Sequence, residues 1–491
     1  MKNLKIGLYS AGLRAYWEQF PGLRERLEGY NRFIAQKLAQ WGEVCNFGLF
    51  DHADGSEAAA DYFRENRVDL LFLHSATYFT SDMILPVHRT CRIPAVVLNL
   101  QPSPQIDYDR TDTGEWLANC CACPVPEVSN AFERAGIPFR CVNGLLGLDS
   151  TPDGALSDER TAERPEAVRA WGEIGEWCRA AAVKKNLENA RFGFLGGNYS
   201  GMLDLYSDFT MLSAQTGIHV EILEMCGLAS RLEQVTEAET AQKLREIREM
   251  FVTSGGESAD ARVRTPTDEE LGWSAKVAAA QAKMVGDYRL DALAYYYHSV
   301  DGNPYEEIQS GFIVGHSLLT ARGIPCAGEA DLKTALGMKI CDLLGAGGSF
   351  AEIVVTDYVN GTILIGHDGP FHIKISDGKP ILRGMGVYHG KRGSGISVEA
   401  KVKAGPVTTL NVTQTRDGRL KFIVSEAEAT DGPIMKIGNT QTHVKFDCDP
   451  DAYMDKWFAE APTHHCAMAV GHIAPVIEKL GELMEIKTVR I

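Results

Sequence analysis

Arg191-Phe192-Gly193-Phe194-Leu195-Gly196-Gly197 is a short apolar run closed by two glycines, and it opens a second α/β pattern deep inside the chain. Further strand candidates follow at His219 to Met225 and at Leu290 to Tyr297. The first third has the same texture. Apolar runs at Lys5 to Tyr9, Asp69 to His74, Ala95 to Leu100 and Phe139 to Val142 alternate with stretches such as Tyr30 to Trp41 and Ser56 to Asn66, whose apolar residues recur at helical spacing. Alternation of strand and helix predicts parallel sheets wrapped by helices, and its recurrence predicts two of them. Between Asp149 and Asn189 the chain turns charged and alanine-rich, which reads as a connecting helical segment.

Beyond the helical stretch Leu332 to Leu344 the pattern changes. Ile353 to Tyr358, Thr362 to Ile365, Val407 to Thr413 and Leu420 to Ser425 alternate with turns such as Arg416-Asp417-Gly418, predicting an antiparallel sheet or small barrel. A last helix is expected from about Ala467 to Leu483, before the tail Ile486 to Ile491. The expected fold class is therefore α/β: two doubly wound domains, 1-165 and 166-325, then a mainly antiparallel, β-rich C-terminal domain, 326-491.

Composition narrows the function. The 491 residues carry a formal net charge of -16 and contain no useful Lys/Arg cluster, which argues against a nucleic-acid partner and favours a cation. No apolar run reaches membrane-spanning length, and Met1 to Gly7 lacks the apolar core of a signal peptide, so a cytoplasmic protein with no membrane partner is expected. The 12 cysteines are expected to be reduced thiols. Cys120-Cys121-Ala122-Cys123 has no second pair at zinc-finger spacing and reads as a buried, inert cluster.

Chemistry concentrates late in the chain. Ala327-Gly328-Glu329-Ala330-Asp331 lies between an apolar run and a helix, where open α/β sheets present ligand-binding groups. Alone it reads as a helix start, with Asp331 as cap and Glu329 in solvent. His367 leaves a buried strand into the turn Asp368-Gly369-Pro370, with His372 close behind, and His464-His465 precedes the expected last helix. Each histidine alone is weak evidence. Glu306 and Glu307 follow Tyr295-Tyr296-Tyr297-His298; they read either as the acidic start of a helix or as the source of a second carboxylate. Gly196-Gly197-Asn198-Tyr199-Ser200-Gly201 has neither P-loop nor dinucleotide spacing and reads as a sugar-facing or structural turn. Carboxylates and imidazoles without a thiolate form a set suited to manganese, with cobalt or iron next.

Taken in order, Ala-Gly-Glu-Ala-Asp-Leu-Lys-Thr-Ala at 327 to 335, Gly-Gly-Ser-Phe-Ala-Glu at 347 to 352, Gly-His-Asp-Gly-Pro at 366 to 370, Gly-Pro at 405 to 406 and His-His at 464 to 465 resemble the arabinose isomerase family, within the arabinose/fucose isomerase superfamily. The resemblance implies two Rossmann-like domains, a β-rich domain carrying most of the metal ligands, and a homo-oligomer, a hexamer in that family. It also implies a Mn2+ ion (Co2+ or Fe2+ as alternatives) held by two glutamates and two histidines, and a small sugar as substrate. Glu329, His367 and His465 match three of those ligands. At the fourth the chain departs: direct alignment offers His298, so Glu306 is taken as ligand, with Glu307 behind it, and Asp331 stays open as ligand or hydrogen-bond partner. The departure marks a divergent, arabinose-isomerase-like branch. His372 and His389 are candidates for hydrogen-bond reach of the same pocket, with no role assigned.

Such a site implies an intramolecular oxidoreductase interconverting aldose and ketose, with Glu306 and Glu329 as acid and base and a proton passing between C2 and C1 through a metal-stabilised enediolate. The alternatives are a metal-dependent epimerase or lyase acting on a modified sugar, and a non-catalytic sugar-binding protein.

Overall fold

From Ile6 onward the strand Lys5–Ala11 is buried on both faces, as a central parallel strand covered by helices must be. The computed structural model describes residues 2–253, 258–300, 302–385 and 395–491. His389 lies outside them.

The chain divides into two compact units, Met1–Lys185 and Asn186–Ile491. In the first, β1 (Lys5–Ala11), β2 (Glu43–Phe50), β3 (Leu70–Ser75), β4 (Ala95–Gln101) and β5 (Cys141–Leu145) form a sheet of order β2-β1-β3-β4-β5. All four pairings are parallel. This is a doubly wound order, in which the chain reverses direction across the sheet after β2. The helix Leu23–Leu38 buries Leu27, Tyr30, Ile34 and Leu38, one face of a 3.6-residue period. The strand β2 gave no clear signal in the sequence because it is an edge: only Cys45 and Phe50 are fully buried, and Asn46 and Gly48 interrupt its apolar run.

The second unit opens with β6 (Arg191–Gly196), β7 (His219–Leu223), the two-residue β8 (Val263–Arg264), β9 (Ala292–Tyr296) and β10 (Cys326–Ala327). Four of these form a parallel sheet of order β7-β6-β9-β10, the same reversal in shorter form. Then come β11 (Gly347–Asp357), β12 (Thr362–Gly366), β13 (Ile381–Met385), β14 (Gly395–Glu399), β15 (Gly405–Gln414), β16 (Leu420–Thr430), β17 (Thr442–Lys445), β18 (His465–Val470) and β19 (Lys487–Arg490). Antiparallel pairing runs β15-β18-β11-β12-β17-β16 and returns from β16 to β15, closing a barrel. β19 adds to β16 in parallel, and β8, β13 and β14 form a small separate sheet.

One expected element is different in kind. Residues 467 to 470 belong to β18, and the last helix is Ala474–Met484. Alanine and methionine favour helix, yet Cys466 to Ala469 are almost fully buried between β11 and β15, and Gly471, with φ 86°, separates strand from helix. Tertiary pairing has overridden local propensity.

Candidate metal centre

The strand β10 ends at Ala327, and the chain turns tightly through Gly328–Ala330 before the helix Leu332–Leu343. Within that turn Glu329 and Ala330 both adopt left-handed backbone, φ 55° and 60°. Two successive non-glycine residues in that region cost on the order of 1–3 kcal/mol each and persist only where the surroundings enforce them. The turn directs Glu329 inward, to 7% exposure. Asp331 caps the following helix, its Oδ1 accepting the Thr334 N–H at 3.0 Å.

The barrel supplies the imidazoles. Glu352 on β11 lies opposite His465 of β18 on one side and Gly366 of β12 on the other, so the central strand carries a carboxylate between the two histidine-bearing strands. His367 follows Gly366 directly. A Cβ at Gly366 would stand 1.8 Å from the Thr440 carbonyl oxygen, so only glycine permits this approach. Thr440 also grips the His367 backbone: its Oγ1 accepts the His367 N–H at 2.8 Å, and its own N–H donates to the His367 carbonyl at 2.9 Å. Phe350 packs against both rings, with centroids 4.6 Å from His367 and 4.3 Å from His465.

Two overlapping groups result, Glu329 with His464 and His465, and Glu352 with His367 and His465; within each, one potential ligand atom per residue lies within 4.8 Å of the others. His465 belongs to both. Its Nδ1 is 3.0 Å from Asp331 Oδ2, which fixes the donor on that nitrogen and turns the Nε2 lone pair toward Glu329 Oε2, 3.4 Å away. Neither His465 Nε2 nor Glu329 Oε2 has a hydrogen-bond partner among the described residues. A buried acceptor facing a buried carboxylate oxygen is costly unless a cation lies between them. These residues therefore fit a divalent metal, and the oxygen–nitrogen donor set fits manganese, cobalt or iron.

The imidazoles of the cluster differ in charge: burial pushes His367 down, but its hydrogen bond to Asp368 and the charges of Asp368, Glu352 and Glu329 raise it above the ordinary imidazole range. Burial keeps His465 below the ordinary imidazole range, and hence neutral, against the opposing pull of Asp331. Glu329 stays below the usual carboxylate range although burial works the other way, because His464, His465 and His367 surround it. Asp331 is likewise held at about 2 despite full burial, chiefly by its bond to His465 and by the charge of Lys333. His464 rises to about 9: burial opposes its charge, but Glu329 and Asp204 outweigh burial.

Of the expected ligands, Glu329 shares one group with His465, and His367 shares the other with His465. Glu306 is in neither group. It lies in the first turn of the helix Pro304–Ser310, accepting the Ser299 N–H at 2.7 Å and sitting 3.6 Å from His298 Nδ1. Glu307 is exposed, and both glutamates line a different cleft with Arg264 and Trp273. The helix-start reading describes them, and Glu352 stands where a second carboxylate was sought. Asp331 is a hydrogen-bond partner of His465 rather than a member of either group. His372 is buried, its N–H donating to Ser349 Oγ at 3.3 Å, and is likewise in neither group.

Two participants were not singled out from the sequence. Glu352 ended a quoted motif but received no role; its signal is an acid closing the apolar run Gly347 to Ala351. Asp204 gave no signal, being 260 residues from its partner: it accepts the His464 backbone N–H at 3.0 Å and its ring Nδ1–H at 2.6 Å. The buried Lys333 holds that loop, donating to the Leu205 carbonyl at 3.2 Å and Ser207 Oγ at 2.9 Å.

Fold and cluster together define an α/β protein, with a closed antiparallel barrel, that gathers carboxylates and imidazoles at the end of a parallel strand. No family model and no curated protein matches the chain. Among solved structures, it is similar to a periplasmic solute-binding protein of an ABC transporter from Actinobacillus succinogenes 130z with bound D-allose, at 10% identity, 66% of this chain, 77% of that one and TM-score 0.16. A solute-binding protein from Burkholderia multivorans, its unknown ligand represented as alpha-D-erythrofuranose, gives 12%, 67%, 80% and 0.17. At such TM-scores neither likeness carries an argument. Among the described residues no helix is long and apolar enough to cross a membrane.

Proposed function

We propose that the chain is a metal-dependent aldose-ketose isomerase of the arabinose isomerase type. The observation that carries this reading is the pair of buried atoms without a hydrogen bond, Glu329 Oε2 and His465 Nε2, facing each other at 3.4 Å beside Glu352 and His367. Glu329, Glu352, His367 and His465 are the residues that would hold the metal. When bound, a divalent cation supplies Lewis acidity toward the carbonyl and neighbouring hydroxyl oxygens of an open-chain sugar.

The protein's own groups perform the proton transfer. Glu329, which burial would raise but which its pairing with His464 keeps below the usual carboxylate range, is a ready base for the C2 proton. Glu352, paired in register with His465, is the second carboxylate through which a proton can return at C1. Asp331 fixes the His465 tautomer, and Asp204 holds the neighbouring His464 ring with its Nε2 3.6 Å from Glu329. Phe350 forms an apolar wall that excludes water from one side.

The test is incubation of the Mn2+-loaded protein in deuterated water with a panel of pentoses, hexoses and deoxysugars. The expected result is aldose-ketose interconversion with deuterium entering at the carbons that exchange the proton, and loss of turnover by at least about a hundredfold in Glu329→Gln. Inversion at a carbon with no change of carbonyl position would replace isomerase by epimerase, and an unsaturated product would replace it by lyase. Full turnover after chelation of metal would overturn the reading altogether.

A further inference from the structure

A cleft of about 600 Å3 opens at the carboxyl ends of β6, β7 and β9, the position where the parallel sheet reverses its strand order. Four of its walls are tyrosines. Tyr199 and Tyr296 stack with centroids 4.6 Å apart and planes at 28°, while Tyr297 and Tyr305 meet edge to face at 5.8 Å. Gly196 makes the floor possible: a Cβ there would stand 2.0 Å from the Tyr296 carbonyl oxygen.

The cleft adjoins the cluster described above. The turn Gly328–Ala330 that carries Glu329 packs against β9, whose last residue is Tyr296. A sugar whose reducing end sits at the cluster leaves most of the cleft unfilled if it is a free pentose or hexose, because the volume is in the range of roughly 300–1,000 Å3 that holds drug-sized ligands.

The lining also states what the occupant carries. Among its described residues there is no Lys or Arg; one carboxylate, Glu224, and one imidazole, His298, line it. The helix Met225–Glu233 starts at the cleft, but Glu224 stands at its N-cap position and places a carboxylate where a phosphate would otherwise be welcome. Aromatic faces with few polar groups suit the apolar face of a pyranose ring, and they offer nothing to neutralise a phosphate.

We infer that the Tyr199–Tyr296 cleft is a subsite for a second sugar ring, making the substrate an unphosphorylated reducing disaccharide or similarly extended saccharide. This rests on the isomerase reading for the placement of the reducing end. Calorimetry on the Mn2+-loaded chain of residues 1–491 and saturation-transfer NMR on the metal-free chain would compare a panel of reducing disaccharides with their reducing-end monosaccharides and with the corresponding sugar phosphates. At least one disaccharide is expected to bind about tenfold more tightly than its monosaccharide, with saturation strongest on the non-reducing ring, and no sugar phosphate is expected to bind better than its parent. Tyr199→Ala is expected to bring the disaccharide-to-monosaccharide ratio close to one and Tyr199→Phe to restore it, with Mn2+ titration showing that both variants are folded. Tighter binding of a phosphate, no disaccharide preference anywhere in the panel, or a preference that survives Tyr199→Ala would overturn the subsite. Failure of Mn2+ itself to bind would instead count against the isomerase reading, since disaccharide preference can be measured in metal-free protein as well.

Discussion

Asp331 shows how one side chain serves both the fold and the site. Its Oδ1 caps the helix Leu332–Leu343, and its Oδ2 holds His465 Nδ1 at 3.0 Å. Asparagine keeps the capping oxygen but removes the charge that fixes the imidazole. Asp331→Asn is therefore expected to weaken Mn2+ binding by about 10–100-fold while leaving the denaturation midpoint nearly unchanged, as titration calorimetry and circular dichroism would report. An equal loss of both would mean that Asp331 serves the helix alone. At this scale the ordered motifs were informative where single residues were not: Asp331 stayed open as ligand or hydrogen-bond partner, and Glu329, His367 and His465 stood out as ligands only through the resemblance. Glu352 did not, because an acid ending a strand resembles any solvated strand end until the register places it between two histidine-bearing strands. Glu306 stood out for a local reason, an acidic pair near a tyrosine-rich strand, and the helix it begins accounts for that pair.

Strands and strand ends position the imidazoles, His465 at the start of β18 and His367 directly after β12, and their rigidity comes from close backbone approach. Thr440 grips both backbone groups of His367, and this depends on the missing side chain at Gly366. Gly366→Ala forces a methyl group against the Thr440 carbonyl and should cost about 1–3 kcal/mol of stability. It should also lower metal affinity, since separating β12 from residue 440 moves His367. Urea denaturation alongside Mn2+ titration would check both, and unchanged values of each would show that the strand end tolerates displacement. Central strands were legible because a run buried on both faces is continuously apolar, as in β1, β3, β4 and β9. Edge strand β2 and barrel strand β18 were not: the first buries too little to leave a pattern, and the second is built from residues that also suit a helix.

On the scale of the molecule, both units contain histidines that burial keeps uncharged. His74 and His88 in the first and His316 in the second are each lowered to about 3 by loss of solvent. The unfolded chain takes up a proton at each near pH 6.5, whereas the native protein does so only near pH 3, so the unfolded state binds more protons between those limits and stability falls with acidification. Each contributes a slope of up to about 1.4 kcal/mol per pH unit below 6.5. Denaturant midpoints should drop clearly from pH 7 to pH 5, and replacing His88, whose Nε2 lies 2.7 Å from the Tyr9 hydroxyl, by glutamine should flatten that dependence. A midpoint constant over this range would contradict it. The alternation of two α/β patterns and a β-rich end was readable from periodicity, because each class of element leaves its own repeat. The sequence left an antiparallel sheet and a small barrel both open; the choice of the barrel depends on β15 pairing with both β16 and β18.

Mn2+ binding by wild type, Glu352→Gln and Glu306→Gln, followed by titration calorimetry on the same day and in the same buffer, bears most directly on the cluster. Wild type should bind one ion per chain, Glu306→Gln should match it, and Glu352→Gln should bind at least about tenfold more weakly. Loss of binding in Glu306→Gln with Glu352→Gln unaffected, or no binding by the wild-type chain, would contradict the assignment.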